Sequence, residues 1–170
     1  MSIERRRGRG QRAPRPTGEP PLRLEAFLPY RLVLIANLVS EALSHIYNER
    51  FGFGIPEWRV IATLGQFGTI TAKQVGNHTH MHKTKVSRAV AHLARRRYVR
   101  RRTNDKDKRE EHLTLTAQGR AVYEQIAPMA IAFAQHLFDD IAANDRKAFE
   151  RVLDTLTVRM LQSAADDFQR

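Results

Sequence analysis

The chain has 170 residues, a formal net charge of +11 and no cysteine, so it suits one domain and holds neither disulfides nor thiolate metal sites. No apolar run approaches the roughly 20 residues that a membrane-spanning helix needs, and the basic N-terminal stretch lacks the apolar segment of a secretory signal. We therefore expect a cytoplasmic protein with no membrane partner.

The positive charge is confined to two stretches. Residues 82–109 carry a net charge of +10 and residues 1–20 carry +4, which leaves the remainder at −3. Most charge runs are merely solvated surface. Concentrated charge, in contrast, is the electrostatic pattern of a surface that binds a polyanion such as nucleic acid, and we favour that interpretation.

Residues 1–21 are rich in Arg, Gly and Pro and too poor in apolar residues to order themselves, so they predict a flexible basic arm. The arm either adds contacts to DNA or is an inert tail. Residues 22–170 predict a single domain, whose first helix runs from about Pro29 to Phe51. Between Leu32 and Val39 this helix is apolar on almost every side, which indicates that a partner chain encloses it.

The first helix also carries a polar stripe, because polar residues recur along it at intervals of three and four. The stripe consists of Asn37, Ser40, Glu41, Ser44 and Asn48. The stripe is either the solvent-exposed face of the helix or the polar wall of a ligand cleft. Trp58, in a second predicted helix from Glu57 to about Phe67, either lines such a cleft or is an ordinary core residue.

Thr71 is expected to cap a short third helix, Ala72 to about His78, and the next helix is amphipathic. Its apolar face comprises Val86, Ala89, Val90 and Leu93. Its basic face comprises Lys85, Arg88, His92 and Arg95, with Lys83, Thr84 and Ser87 near the N-terminal end.

A wing is predicted after this helix. Tyr98 to Arg102 alternates like a short strand, residues 104–107 form a polar turn, and residues 112–115 return as a second strand. A basic helix followed by such a ribbon predicts a winged helix-turn-helix, mainly α with a small β-wing. The helix then enters the major groove of DNA, and the wing reaches the neighbouring minor groove.

A cluster of His78, His80 and His82 raises the question of a zinc site. No thiolate or suitably placed carboxylate is adjacent to complete it. Turn formation and phosphate contact are the better interpretations, so we predict no metal and no cofactor.

The C-terminal part predicts two further helices. Thr116 is expected to cap the first, Ala117 to about Ala142, with a kink at Pro128; Asn144 or Asp145 is expected to cap the second. Both repeat apolar residues at coiled-coil spacing. The seams are Val122, Ile126, Met129, Phe133 and Leu137, then Phe149, Val152, Leu156 and Met160.

One small domain cannot bury all this apolar surface alone. We therefore predict a homodimer whose interface is formed by the N- and C-terminal helices, about 22–51 and 117–165, with the DNA-binding part at about 56–116. A paired module predicts a pseudo-palindromic double-stranded DNA operator.

The chain from about Pro29 to Met160 resembles the MarR family of transcription regulators. The resemblance rests on PEWRVIATL, FGTITAKQVG, TKVSRAVAHL, YVRR, Asp107-Lys108-Arg109 and LTLTAQGR, in this order. It implies an obligate homodimer. It also implies that the major groove is contacted by Lys83, Thr84, Lys85, Ser87 and Arg88.

In the wing, the resemblance implies that Arg109 enters the minor groove and that Asp107 steadies it. The predicted DNA-binding set is completed by His92, Arg101, Lys106 and Lys108. The chain departs from the family pattern at Arg97, where Gly is usual and where a positive φ is mildly strained for other residues. It departs also at Gly76, where Ala is common, and at His82, where Asp often caps the helix.

Members of this family commonly bind a small aromatic ligand between the first, second and fifth helices, and some respond to aromatic acyl-CoA thioesters. The resemblance therefore implies a ligand site formed by Asn37, Ser40, Ser44, Tyr47 and Trp58. The aromatic residues nearby, which include Phe51 and Phe53, are similar to the hydroxycinnamate or hydroxycinnamoyl-CoA branch.

The leading functional hypothesis is a dimeric repressor that an aromatic acid or its CoA thioester releases from operator DNA. The alternative is a sequence-neutral architectural protein, which needs no ligand cleft and discriminates little between operator and random DNA. We do not expect an enzyme, because no nucleophile–base pair, phosphate-binding glycine loop or metal set is found.

Overall fold

A computed structural model describes residues 21–103 and 111–167, with side chains as far as residue 163. The described residues form six helices and three strands. They are α1 (Leu28–Phe51), α2 (Ile55–Phe67), β1 (Ile70–Thr71), α3 (Ala72–Thr79), α4 (Lys83–Arg95), β2 (Val99–Thr103), β3 (Glu111–Leu115), α5 (Ala117–His136) and α6 (Ala143–Asp167). The predicted fold class, mainly helical with a small β-wing, is confirmed. None of the described helices combines the length and hydropathy that a membrane span requires.

The chain divides into two compact units, and the boundary falls inside α1, between Leu38 and Val39. The first unit, described from residue 21, exposes nearly all its large apolar side chains. These are Leu22, Leu24, Phe27, Leu28, Tyr30, Val33, Leu34, Ile35 and Leu38. The apolar stretch that the sequence identified in the first helix is thus left uncovered within its own unit.

In the second unit, short polar contacts fix where the helices begin. Pro56 lies in the first turn of α2, as predicted, and the Glu57 carboxylate accepts a hydrogen bond from the Gly54 N–H at 3.2 Å. At α3, Thr71 Oγ1 accepts from the Gln74 N–H at 3.2 Å, while the Thr71 N–H donates to Gln74 Oε1 at 2.8 Å. This reciprocal capping box satisfies N–H groups that the helix itself cannot pair, and it confirms the predicted cap at Thr71.

The sheet is antiparallel, with three strands in the order β1-β3-β2. Val99 pairs with Leu115 and Arg101 with Leu113, so the predicted ribbon is present with each strand boundary within one residue of expectation. Strand β1, which pairs Ile70 with Leu113, was not predicted. Two residues are too few to show the alternation of a strand.

The core of the second unit is formed mainly where α2, α3 and α4 meet the sheet. Its most deeply buried side chains are Tyr47, Val60, Ile61, Leu64, Val75, Val86, Leu93, Leu113 and Ile126. Two glycines permit close approach. A Cβ at Gly65 would overlap the ring of Tyr123, and one at Gly119 would overlap the carbonyl of Tyr98. Helix α5 is therefore held tightly against α2 and against the start of the wing.

The boundary between α5 and α6 differs from the prediction. Helix α5 ends at His136 rather than near Ala142, because the chain tightens into i→i+3 bonds such as Phe138 N–H to the Gln135 carbonyl at 3.0 Å. Helix α6 begins at Ala143. Neither Asn144 nor Asp145 is therefore the capping residue that was expected; both lie in the first turn.

The predicted apolar seams are only partly used within one chain. Val122 and Ile126 are buried in the core, but Met129 further along α5 and Leu137 directly after it are exposed. In α6 the side chains described up to residue 163 include no buried one. Phe149, Val152 and Met160 are 43%, 54% and 62% exposed, so this helix presents apolar surface to solvent in the single chain.

Candidate nucleic-acid interface

Helix α4 separates its apolar residues from its charged residues. Val86, Ala89, Val90 and Leu93 are at most 2% exposed and are packed into the core. The side chains predicted to face the major groove are exposed, namely Lys83, Thr84, Lys85, Ser87 and Arg88. The core therefore fixes one face of the helix and leaves a rigid basic face available to a groove.

His82 caps α4, although the family residue at this position is often Asp. Its ring Nδ1 accepts a hydrogen bond from the Thr84 N–H at 3.3 Å, at the long end of normal geometry. The neighbouring histidines have other positions. His80 ends α3 in the left-handed region with φ 51°, and the His78 ring stacks on Phe67 at 4.1 Å. Among the residues that the structure describes, no group of three or more His, Asp or Glu is arranged to hold a metal ion.

His92 has a partner within the protein. Its Nδ1 lies 3.1 Å from Glu57 Oε1, and the two side chains are 33% and 16% exposed. Glu57 also holds the N–H of Gly54 at the start of α2. His92 therefore links α4, the predicted recognition helix, to α2. Its predicted contact with DNA stays a prediction.

The junction between α4 and the wing is strained and is held by hydrogen bonds. Arg97 has φ 59°, as the departure from glycine at this position led us to expect. Thr116 Oγ1 donates to the Arg97 carbonyl at 2.6 Å and accepts from the Gly119 N–H at 3.0 Å. Thr116 is confirmed as the cap of α5. Its hydroxyl thus links the start of α5 to the junction between α4 and the wing.

The wing strands carry exposed arginines. Arg100, Arg101 and Arg102 are exposed on β2. Arg101 Nη1 lies 3.4 Å from Glu111 Oε2 on the paired strand, an exposed ion pair of small energetic value that still orients the side chain. The remaining wing residues of the predicted set, Lys106, Asp107, Lys108 and Arg109, lie outside the described residues.

An aromatic cluster joins the C-terminal part of α1 and the start of α2 to Tyr98, the residue before β2. Tyr47 stacks on Phe53 at 5.7 Å and on Trp58 at 5.6 Å, and Phe53 meets the edge of Tyr98 at 6.3 Å. Tyr47 is only 1% exposed, and burial raises the pKa of its phenol to about 12. Trp58 is half-buried and packs on the core.

The predicted ligand residues differ in how deeply they are buried. Tyr47 is a core residue, Trp58 borders the core, and Ser40 and Ser44 are half-buried on α1. The Ser44 hydroxyl donates to the Glu41 carbonyl at 2.7 Å. Asn37 is exposed and belongs to the first unit.

Comparison with known proteins gives consistent results. A family model described as the MarR family matches residues 51–110. The HTH-type transcriptional regulator YwoH of Bacillus subtilis is 29% identical over 119 residues, which are 70% of this chain and 82% of that protein. The crystal structure of a MarR/EmrR family transcriptional regulator from Acinetobacter sp. ADP1 superposes with a TM-score of 0.75 at 23% identity, covering 83% of this chain and 99% of that one.

A further solved structure is that of BpsR from Bordetella bronchiseptica, whose DNA binding is regulated by 6-hydroxynicotinic acid. It superposes with a TM-score of 0.64 at 19% identity, covering 75% of this chain and 98% of that one. Residues 51–110 are thus similar to the MarR family, and the solved structures of that family share the fold of this chain. Its fold is the winged helix-turn-helix, and the relatives to which it is similar are described as transcriptional regulators.

Within this MarR fold, sequence reasoning missed two residues that position α4. Glu57 joins α2 to His92, and Arg96 contacts the carbonyls of Phe51 and Gly52 at the end of α1. Arg96 was counted only as part of the basic run. No local pattern distinguishes it from Arg95 or Arg97, because its acceptors are more than 40 residues away in the chain.

Proposed function

We propose that the protein is a dimeric repressor that a small aromatic acid, or its CoA thioester, releases from a pseudo-palindromic operator. The observation that carries the DNA-binding part is the exposed basic face of α4 on a helix whose opposite face is buried. Lys83 lies in the first turn of α4, where its exposed ammonium can contact a phosphate. Arg88 is one turn further on, and arginine reads guanine edges through its two-pronged guanidinium.

The dimer is supported by apolar surface that a single chain leaves open. In the first unit Val33, Ile35 and Leu38 are 59%, 49% and 52% exposed. In the second unit the α6 residues Val152 and Met160 are exposed to a similar extent. Monomeric soluble proteins rarely leave apolar patches of this kind uncovered. A second copy of the chain is the proposed cover, as the family resemblance implies.

In the proposed dimer, two recognition helices bind successive major-groove segments about one helical turn, or roughly 34 Å, apart. A ligand that binds more tightly to a dimer with another separation lowers DNA affinity by the same differential affinity. This mechanism needs no covalent chemistry.

The effector class is supported by the aromatic cluster and by the behaviour of BpsR, which responds to 6-hydroxynicotinic acid. The half-buried Trp58 offers an indole for stacking, while Ser40 and Ser44 offer hydroxyls for a carboxylate or phenol. Tyr47 supports Trp58 from within the core. Asn37, in the first unit, and the hydroxycinnamoyl-CoA branch stay predictions.

The test is a DNA-binding measurement with a ligand screen. Fluorescence anisotropy compares duplexes tiled from the protein's own promoter with a random duplex at one fixed salt concentration, because affinities at different salt are not comparable. We expect at least one promoter duplex to bind about a thousandfold more tightly than the random one. Equal affinities would support the sequence-neutral alternative instead.

The ligand screen uses 6-hydroxynicotinic acid, hydroxycinnamic acids and their CoA thioesters, with benzylamine as a cationic aromatic control. We expect an acid or thioester to release the promoter duplex, and the control to leave it bound. A Trp58→Leu variant, which keeps apolar volume without the indole, is expected to need more ligand. If no compound changes DNA affinity, the effector proposal is wrong while the DNA-binding proposal stands.

A further inference from the structure

Arg96 connects the recognition helix to the end of α1. It follows α4 directly, and its Nη1 donates to the carbonyl oxygens of Phe51 and Gly52, the second at 3.3 Å. Carbonyls at the C-terminal end of a helix have no partner within the helix and carry the negative end of its dipole. A guanidinium is therefore well matched to this position, both as a donor and as a charge.

The same guanidinium is anchored on the core. Its central carbon lies 5.2 Å from the centre of the Tyr98 ring, and Nη2 donates to the Tyr98 hydroxyl at 3.4 Å. Tyr98 is 7% exposed and meets Phe53, which in turn stacks on Phe51 at 5.9 Å. Arg96 thus joins three elements, namely the end of α1, the end of α4 and the start of β2.

We propose that Arg96 is a positioning residue for sequence recognition. By holding the C-terminal end of α4 to α1, it sets the orientation in which the exposed basic face meets the bases. Direct reading of base edges requires placement within a fraction of an ångström. Contacts to phosphates tolerate small displacements and carry no sequence information. Loss of the Arg96 contacts is therefore expected to reduce discrimination between sequences more than overall attraction to DNA.

A direct phosphate contact by Arg96 is the competing explanation, and the bonding argues against it. Nη1 and Nη2 already donate to two carbonyls and a hydroxyl of the protein, and the side chain is only partly exposed. The two roles also differ in salt dependence. Each phosphate contact adds about 0.9 to the slope of log affinity against log salt, whereas a positioning residue adds nothing.

The experiment compares Arg96→Gln with Arg59→Gln. The control removes the same charge from an exposed residue on α2. Affinity for the promoter duplex and for a random duplex is measured across a salt series with the full chain. For Arg96→Gln we expect roughly tenfold weaker promoter binding, random-duplex binding within about twofold of the parent, and an unchanged salt slope. Arg59→Gln should match the parent in the promoter-to-random ratio.

Two further variants keep the result decisive if Arg96→Gln folds poorly. Tyr98→Phe removes only the hydroxyl acceptor and keeps the ring in the core, so it should lower the same ratio by a smaller factor. Arg96→Lys retains the charge but not the fork that spans carbonyls and hydroxyl. We expect it to leave discrimination impaired.

Three results would overturn the proposal. They are an unchanged ratio in both Arg96→Gln and Tyr98→Phe, an equal loss on both duplexes with a reduced slope, and full rescue by Arg96→Lys. The proposal rests on the DNA-binding face proposed for α4, and the parent protein separates the two failures. If the parent protein does not discriminate between the promoter and random duplexes, both the DNA-binding proposal and the role of Arg96 are wrong. If the parent discriminates and the variants discriminate equally well, only the role of Arg96 is wrong.

Discussion

Thr116 is expected to contribute more to the free energy of unfolding than a partly exposed threonine usually does. Its hydroxyl accepts from the Gly119 N–H at 3.0 Å, which caps α5, and donates to the Arg97 carbonyl at 2.6 Å. Loss of a helix cap costs about 1 kcal/mol, and loss of a further hydrogen bond costs about 1 kcal/mol. Thr116→Ala should therefore lower the free energy of unfolding by about 2 kcal/mol. For a domain of this size, that corresponds to a fall in Tm of about 4–8 °C.

The measurement is urea unfolding followed by far-UV circular dichroism, with all variants at one protein concentration because subunit association adds to apparent stability. Thr157→Ala is the matched control, since its hydroxyl is exposed on α6 and donates only to the Leu153 carbonyl at 2.8 Å. The control should change stability by less than about 0.5 kcal/mol. Thr116→Ser, which keeps the hydroxyl, should retain most of the parent stability.

A functional consequence follows from the second hydrogen bond. The Arg97 backbone is held at φ 59°, a conformation that costs a non-glycine residue about 1–2 kcal/mol. Without Thr116 this junction is free to relax, so the wing should also lose its fixed direction. If Thr116→Ala unfolds at the same urea concentration as Thr157→Ala, then the two hydrogen bonds do not hold the junction and the reasoning is refuted.

Three other predictions concern DNA, ionisation and assembly. Arg88→Ala should weaken promoter binding by about 1–3 kcal/mol and relax sequence preference; anisotropy against promoter and random duplexes checks this, and parent-like values on both would show that the basic face of α4 is not the groove face. Because burial raises the Tyr47 pKa to about 12, above the ordinary value of about 10, its stabilising contribution is complete below pH 10 and is lost as pH rises towards 12. The unfolding free energy across this range should fall less steeply in Tyr47→Phe, and equal slopes would contradict the assignment. Val152→Glu places a charge on the exposed apolar side of α6 and should shift the sedimenting species from dimer to monomer, whereas an unchanged mass would place the interface elsewhere.

Much of the fold follows from local sequence patterns. The apolar spacing of Val86, Ala89, Val90 and Leu93 predicted α4 and its buried face, because a 3.6-residue period records which side of a helix meets a core. Thr71 and Thr116 were predicted as caps because their hydroxyls satisfy N–H groups only a few residues away. The charge pattern indicated a polyanion partner, since net charge can be counted without coordinates.

Boundaries that depend on more distant contacts were predicted less well. The end of α5 at His136 was missed, because the apolar seam continues to Leu137 while the backbone has already tightened. Strand β1 forms because Ile70 pairs with Leu113, which lies more than 40 residues away in the chain. No period can arise in two residues, so this pairing was invisible in the sequence.

By itself the sequence determined the fold class, the resemblance to the MarR family and the face of α4 that carries charge, because each is recorded in residue spacing and type. Only the tertiary structure decided that Tyr47 is a core residue, that His92 contacts Glu57, and that Arg96 rather than Arg95 contacts the end of α1. These outcomes depend on which side chains meet across packed elements. Such long-range contacts are set by the packing of the whole chain, and no pattern in the neighbouring residues indicates them.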